Sequence, residues 1–170
     1  MVTVARFIGI FLLVLVTLFG LEMLEPIHIQ VVEPFTGSLA TLSAWLITPF
    51  DDSVIAYGRV IRDSVSGFAV SIESGCNGVE ATIVLIAAVV AFPARWGQRL
   101  LAIGLGFLAI QLANILRIIS LFYLGQWNFD VFTWIHLYLW PVLIMLDVLV
   151  VFIVYLRYIS TEPSAAEFAS

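Results

Sequence analysis

The chain has 170 residues, of which 62% are hydrophobic and only 11% are charged. So little polar sequence cannot cover the surface of a soluble globular domain, so the composition excludes that class and predicts a membrane protein. The formal net charge is −5. We expect membrane lipid and other proteins as partners, and no nucleic acid.

Long apolar stretches divide the chain, and each is close to the ~20 residues that a helix needs to cross the hydrocarbon of a bilayer. They predict an all-α polytopic membrane protein with four transmembrane helices. The predicted spans are about 7–24, 77–95, 99–124 and 134–157.

The region 25–76 between the first two spans is predicted to lie outside the membrane and to begin with an interfacial helix. Pro34 and Pro49 bracket an apolar segment, 35–47, that is too short to span. Its larger apolar residues recur at helical spacing and predict one membrane-facing side. These residues are Phe35, Leu39, Leu42 and Leu46.

The segment "VIRDSVSGFAVSIE" that follows alternates between apolar and polar residues. This period of two predicts a short β-hairpin turning at Ser66 and Gly67. Five apolar residues would share one face of it. They are Ile61, Val65, Phe68, Val70 and Ile72.

The arginines predict the orientation, because cytoplasmic loops of membrane proteins are enriched in Lys and Arg. With four spans, Arg6, Arg95, Arg99 and Arg157 all fall on one side. That side is predicted to be cytoplasmic, with both termini on it and the region 25–76 outside. We expect the first helix to be a retained anchor, residues 1–160 to form a single transmembrane domain, and 161–170 to be a short cytoplasmic tail.

Three chemically competent side chains are predicted to meet at the outer surface. Cys76, the only cysteine, stands at the start of the second predicted span, between Gly75 and the Asn77-Gly78 pair. Arg117 lies seven residues before the outer end of the third span, roughly 10 Å at helical rise. His136 falls in the first turn of the fourth span, at the same depth.

Such a trio suits acyl transfer. A thiolate is a nucleophile, and a neighbouring cation lowers the pKa of a thiol from its reference of ~8.5. Histidine can take the thiol proton and return it to a leaving amine, and arginine can stabilise a thiolate or an oxyanion. Asn114 lies one turn from Arg117, where it could orient Arg117 or line the oxyanion site, while Gly78 allows another backbone to approach closely.

Less specific interpretations remain open at this stage. The cysteine could be a packing residue, the arginine could extend to the interface, and the histidine could be an interfacial anchor. A different class, a small transporter or proton-coupled protein, would use Asp147 near mid-membrane together with Glu80. A third class is a structural assembly subunit. The two separated histidines and one cysteine provide no metal-ligand spacing, so we expect no metal or cofactor.

Three short motifs resemble the signatures of the exosortase/archaeosortase family. "GCNGVEA", "NILR" and the later histidine match Cys-x-Gly, Asn-x-x-Arg and His, and the likeness extends from about Gly58 to Leu156. The small size resembles the short exosortase H subgroup. Asn77 departs from the family pattern, in which Ser or Thr is common, and Trp140 stands where a glycine often follows the histidine.

This resemblance implies a membrane-embedded cysteine protease or transpeptidase of the bacterial cytoplasmic membrane. Its substrates would be exported proteins with C-terminal sorting signals made of a short motif, a transmembrane helix and a basic cluster. For the H subgroup the motif resembles Ile-Pro-Thr-Leu-x-x-Trp-Gly. By the same resemblance Cys76 corresponds to the family nucleophile, Arg117 to its arginine and His136 to its histidine.

Overall fold

The structure is a computed structural model that describes residues 4–161, so all but the first residue of the predicted tail lies outside it. Helices predominate, and one small sheet interrupts them. In chain order the elements are α1 (Val4–Glu22), α2 (Glu25–Ile27), a π-helical segment π1 (His28–Val32), α3 (Glu33–Ile47), β1 (Val54–Tyr57), β2 (Val60–Asp63), β3 (Ala69–Ser71), α4 (Val79–Ala91), α5 (Trp96–Trp127), α6 (Phe129–Trp134), a second π-helical segment π2 (Ile135–Leu139) and α7 (Trp140–Thr161).

Three helical stretches in the described part of the chain are long and apolar enough to cross a membrane. They are Val4–Glu22, Trp96–Trp127 and the continuous run Phe129–Ser160. The predicted span 77–95 is not confirmed, because α4 has only 13 residues. The turn through Gly75 and Gly78 precedes α4, so the helix begins only at Val79. It ends at Ala91, and its C-cap, Phe92, comes directly before Pro93.

The predicted interfacial helix 35–47 is part of a longer helical run. α2, π1 and α3 follow one another from Glu25 to Ile47, so Pro34 lies inside the run and not at its boundary. The four predicted residues do not share one membrane-facing side, because Leu39 is buried against the protein whereas Leu42 and Leu46 are exposed. The side packed on the protein carries mostly smaller residues. It consists of Thr36, Leu39, Ala40, Ser43, Ala44 and Ile47.

The predicted hairpin is part of a three-stranded antiparallel sheet in the order β1-β2-β3. Its turn is longer than the two residues predicted, and Val65, expected on the shared apolar face, lies within the turn and is 85% exposed. Asp63 organises this turn, because its carboxylate accepts hydrogen bonds from the hydroxyls of Ser53 and Ser66 and from the amide of Val65. These bonds lower the pKa of Asp63 to about 2.

A single residue separates the end of each π-helical segment from a proline. The amide of Glu33, before Pro34, bonds to the carbonyl of His28, and the amide of Trp140, before Pro141, bonds to the carbonyl of Ile135. A proline inside a helix lacks the amide donor, and its ring collides with the carbonyl four residues earlier. A wider turn with bonds to the fifth residue relieves that conflict without ending the helix.

Two apolar clusters hold the elements together. One lies between α3, the sheet and the C-terminal half of α5, and the other joins α4, α5 and α7. The loop 72–78, which carries Cys76, connects the sheet of the first cluster to α4 of the second. The boundary between the clusters is therefore where α5 and π2 can reach Cys76.

Candidate active site

The loop that carries Cys76 is fixed by backbone geometry on both sides. Gly75 and Gly78 have φ of 84° and 78°, a left-handed conformation that residues with a Cβ rarely adopt. Between them, the amide of Cys76 donates to the carbonyl of Glu73 at 3.0 Å. The thiol is therefore presented at a sharp turn immediately before α4.

Asn77, the residue after the cysteine, ties this turn to two helices. Its side-chain oxygen accepts from the amide of Val79 at 3.0 Å, and its side-chain nitrogen donates to the hydroxyl of Thr36 on α3 at 3.1 Å. The side chain is completely buried. Asn77 thus has a positioning role, because neither contact involves the sulfur.

Gly78 allows α4 to approach α5 closely. A Cβ built on Gly78 would lie 2.8 Å from the side-chain nitrogen of Gln111 and 3.3 Å from a methyl carbon of Ile110. Both the backbone conformation and the available space therefore require glycine. The sequence predicted a close approach at Gly78 by another backbone, whereas the nearest neighbours here are the side chains of Gln111 and Ile110.

Arg117 contacts the cysteine directly. Its Nη2 lies 3.2 Å from the sulfur of Cys76 and is placed to donate a hydrogen bond to it. The arginine is only 6% exposed and comes from the C-terminal half of α5. A buried cation in contact with a sulfur is better explained by charge stabilisation than by extension to the interface.

His136 reaches the same sulfur from π2. Its Nε2 lies 4.0 Å from the sulfur of Cys76, and its ring stacks on Phe132 with centroids 5.6 Å apart and planes 5° apart. The wide π turn rotates the helix at this point, and stacking fixes the ring plane. The structure therefore brings together all three side chains that the sequence predicted would meet.

The three side chains line one cavity of about 240 Å³. One side of the cavity is formed by the segment 68–73, which includes β3, and the other by Phe129 and Phe132 of α6. A segment of polypeptide in this cavity would lie against the sulfur.

The electrostatics of Cys76 differ from the sequence-based expectation. Burial raises the pKa of the Cys76 thiol, the Arg117 guanidinium lowers it, and the carboxylates of Glu80 and Glu73 raise it further. The net direction is upward, so the cation does not bring the thiol pKa below its ordinary value. A base beside the sulfur would help to remove its proton, and the closest imidazole nitrogen is Nε2 of His136 at 4.0 Å.

Asn114, predicted to support Arg117, lies behind it. Asn114 is completely buried, and neither atom of its amide has a hydrogen-bond partner within residues 4–161. It lines a second cavity of about 100 Å³ together with Glu80, Gly75 and Arg117. Arg117 thus separates this inner cavity from the one that contains the sulfur.

The remaining ionisable candidates do not line the cavity that contains the sulfur. Asp147 lines a separate apolar cavity between α5 and α7. Glu80 lines the cavity behind Arg117 and not the cavity that contains the sulfur. His28, the other histidine of the chain, lies in π1, where its Nε2 is 3.0 Å from the hydroxyl of Ser74 in the cysteine loop.

The comparison with known families agrees with this geometry. A family model described as Transmembrane exosortase (Exosortase_EpsH) matches residues 2–154. The chain belongs to the exosortase family. No curated protein and no solved structure matches it significantly. The match covers every helix and strand described above except the last turns of α7, so the resemblance drawn from three short motifs in this exosortase is confirmed at the level of the family.

Two parts of the site were not predicted from the sequence. The stacking of Phe132 on His136 joins residues four apart, a spacing that places side chains on one helical face. The contribution of β3 to the cavity depends on how the sheet docks on α5. Phe68 contacts Gly125 of α5 there, and the sequence contains no local signal for that contact.

Proposed function

We propose that this exosortase is a membrane-embedded cysteine transpeptidase or protease that cleaves C-terminal sorting signals of exported proteins. The observation that carries the proposal is the convergence of Arg117 and His136, from two different helices, on the sulfur of Cys76 within one cavity. A packing cysteine has no need of a buried cation and an imidazole at the same atom.

The proposed reaction begins with deprotonation of the thiol. His136 takes the proton from Cys76, and the thiolate attacks the carbonyl carbon of the scissile peptide bond. The resulting tetrahedral intermediate collapses when the C–N bond breaks and the leaving amine takes the proton back from His136. The N-terminal part of the substrate then remains on Cys76 as a thioester, which a water or an acceptor amine cleaves to regenerate the thiol.

Arg117 supplies the fixed positive charge in this scheme. Its contact with the sulfur stabilises the thiolate once the proton has moved, which opposes the upward effect of burial on the Cys76 pKa. As negative charge passes from sulfur to the carbonyl oxygen, the same guanidinium can stabilise the oxyanion. The guanidinium has several N–H donors in one plane, so it can contact both the sulfur and the oxyanion with little movement.

The proposed topology keeps four crossings of the membrane even though α4 is short. α4 rises ~20 Å, and the four residues 92–95 between α4 and α5 can add at most ~13 Å. Together they match the ~31 Å that α5 covers from Trp96 to Arg117. The chain can therefore cross between Cys76 and Trp96, with the site on the outer face of the bacterial cytoplasmic membrane and both termini inside.

The proposed substrates follow from the family. They are proteins whose C-terminus carries a short motif, a transmembrane helix and a basic cluster, and the Ile-Pro-Thr-Leu type motif is the one we propose for this chain. An outer-face site beside transmembrane helices suits a scissile bond that lies just outside a membrane helix of the substrate.

The decisive experiment is co-expression with a reporter protein that ends in such a signal. Cys76→Ser preserves the shape of the side chain but replaces the acidic thiol by a hydroxyl. We expect processing to fall by orders of magnitude while the amount of protein in the membrane stays normal. Full processing by the serine variant would exclude the thiol mechanism.

The location of the site has its own test. A membrane-impermeant thiol reagent should label Cys76 in spheroplasts, before the membrane is opened. The signal is specific, because Cys76 is the only cysteine in the chain. Labelling that requires permeabilisation would place the site on the cytoplasmic side.

A further inference from the structure

β3 occupies an edge of the sheet and also borders the cavity that contains Cys76. In the described chain it pairs with β2 on one side only. A strand at an edge has backbone donors and acceptors that no neighbouring strand uses. The direction of these groups at β3 can be read from its bonds to β2.

Two hydrogen bonds flanking β3 define that direction. The amide of Asp63 donates to the carbonyl of Phe68 at 2.9 Å, and the amide of Ile72 donates to the carbonyl of Arg59 at 3.0 Å. In an antiparallel pair, bonded and non-bonded residues alternate along the strand. Phe68, Val70 and Ile72 therefore direct their backbone amide and carbonyl groups toward β2.

The two residues in between direct theirs the other way. Ala69 and Ser71 turn their amide and carbonyl groups away from β2, and both residues are exposed. Together they offer two donors and two acceptors along the free edge. This is the pattern that an added strand requires.

The free edge faces the cavity. Side chains alternate between the two faces of a strand, so a cavity on one face would meet only every second residue. Here six consecutive residues, 68–73, line the cavity together with Cys76, Arg117 and His136. Contact with consecutive residues means that the cavity runs along the edge of the strand.

The edge also lacks the usual protection against pairing. Natural sheets block exposed edges with prolines or charged side chains, which prevent association with other chains. Neither occurs from Phe68 to Ile72. The first charged residue is Glu73, and its carboxylate is held by Arg59 at 3.1 Å and by the hydroxyl of Ser71 at 2.7 Å.

We propose that β3 binds the substrate as an added strand, so that an extended peptide beside the scissile bond forms backbone hydrogen bonds with Ala69 and Ser71. The proposal rests on the proposed function and adds how the substrate is held. Backbone pairing orients the peptide independently of its sequence, and pockets for alternate side chains then select the motif. Because β3 leads directly into the loop 72–78, the bound peptide is carried past the sulfur of Cys76.

Proline substitution tests the backbone donor at Ala69. Ala69→Pro removes an amide that points into the cavity and leaves the bonds to β2 in place. The matched control is Ala56→Pro, since Ala56 has the equivalent outward position on β1, the opposite edge of the sheet. Processing of the reporter is measured for both variants and for Cys76→Ser, together with the alkylation rate of Cys76 in the two proline variants.

We expect Ala69→Pro to lose about tenfold or more in processing with an unchanged alkylation rate, because the substrate loses one backbone bond and leaves an acceptor unpaired. Ala56→Pro should retain normal processing. Normal processing by Ala69→Pro, with none by Cys76→Ser, would overturn strand pairing and leave the proposed function intact. Normal processing by Cys76→Ser would instead overturn the proposed function.

A second measurement applies even if Ala69→Pro disturbs the fold. Ala69→Cys is introduced into the inactive Cys76→Ser chain and co-expressed with reporters that carry a single cysteine at successive positions around the motif. Strand pairing predicts disulfide cross-links at alternate positions, since alternate side chains share a face. Equal cross-linking at consecutive positions, or none at any position, would overturn the proposal.

Discussion

Arg117 and Cys76 are in direct contact, with the guanidinium Nη2 3.2 Å from the sulfur. Forty-one residues and a complete helix, α4, separate them in the chain. Burial and two carboxylates raise the pKa of the Cys76 thiol, and Arg117 is the group that opposes them. The contact therefore determines how much thiolate the site can hold at neutral pH.

Replacing Arg117 should shift the titration of Cys76. In Arg117→Gln the group that lowers the thiol pKa is gone, so the pKa should rise further and the alkylation curve should move to higher pH. At any pH below the new value, a smaller fraction of the thiol is ionised. The measurement is the alkylation rate of Cys76 against pH in both proteins.

Processing should fall in the same variants. Loss of one oxyanion donor typically costs ~10²–10³ in rate, so Arg117→Gln should lose most activity. Arg117→Lys keeps the charge but not the planar set of donors, and it should also be strongly impaired. An unchanged alkylation profile with full processing in Arg117→Gln would reduce Arg117 to a structural residue.

Replacing His136 should remove the base but leave the thiol accessible. His136→Ala is expected to lower processing by ~10²–10⁴. At high pH, where the thiol ionises without help, Cys76 should still react with an alkylating reagent. The matched control is His28→Ala, the other histidine of the chain, which should process the reporter within about twofold of the native rate. Similar losses in both variants would contradict the assignment of His136 as the base.

Gly78 should be intolerant of a methyl group. Gly78→Ala places a Cβ 2.8 Å from the side chain of Gln111 in a left-handed backbone conformation, so destabilisation of about 1–3 kcal/mol is expected. Gly104→Ala is the control, because a Cβ there meets nothing within 4 Å inside α5. Thermal unfolding in detergent compares the two variants. Equal stability would mean that the close approach of α4 and α5 is not required.

Asp147 separates the enzyme hypothesis from the transporter hypothesis. One of its carboxylate oxygens is buried without a hydrogen-bond partner in the described part of the chain, in a cavity apart from Cys76. Asp147→Asn should therefore process the reporter within about twofold of the native rate. Complete loss of processing in this variant, with normal insertion and a normal alkylation rate of Cys76, would indicate that the chemistry depends on an ionisable group at mid-membrane.

The sequence predicted the meeting of Cys76, Arg117 and His136 because helical rise converts position into depth. Once three helices alternate in direction, residues at equal distance from the outer surface must lie at one level. Depth does not determine which sides of the helices face each other. The 3.2 and 4.0 Å contacts therefore needed the structure.

The errors have local causes. The membrane-facing side of α3 was assigned from its large residues, but Leu39 is buried together with Ala40 and Ala44, small residues that allow close contact with the sheet. Pro34 was interpreted as a helix boundary, since a π turn before a proline is only one of several ways to avoid the clash. The strand that was not predicted, β1, pairs with β2 through ordinary backbone hydrogen bonds. Its four residues show little alternation between apolar and polar side chains, so the sequence gives no strand signal there.

The most direct test of the thiol mechanism is to intercept the thioester on Cys76. Hydroxylamine added to membranes that contain the exosortase and a signal-bearing reporter should compete with the natural acceptor for this intermediate. The account predicts that the released reporter fragment carries a C-terminal hydroxamate in mass spectrometry, in proportion to hydroxylamine concentration, and that Cys76→Ser yields no such fragment. A fragment that ends only in a carboxylate at every hydroxylamine concentration would contradict a covalent intermediate on Cys76.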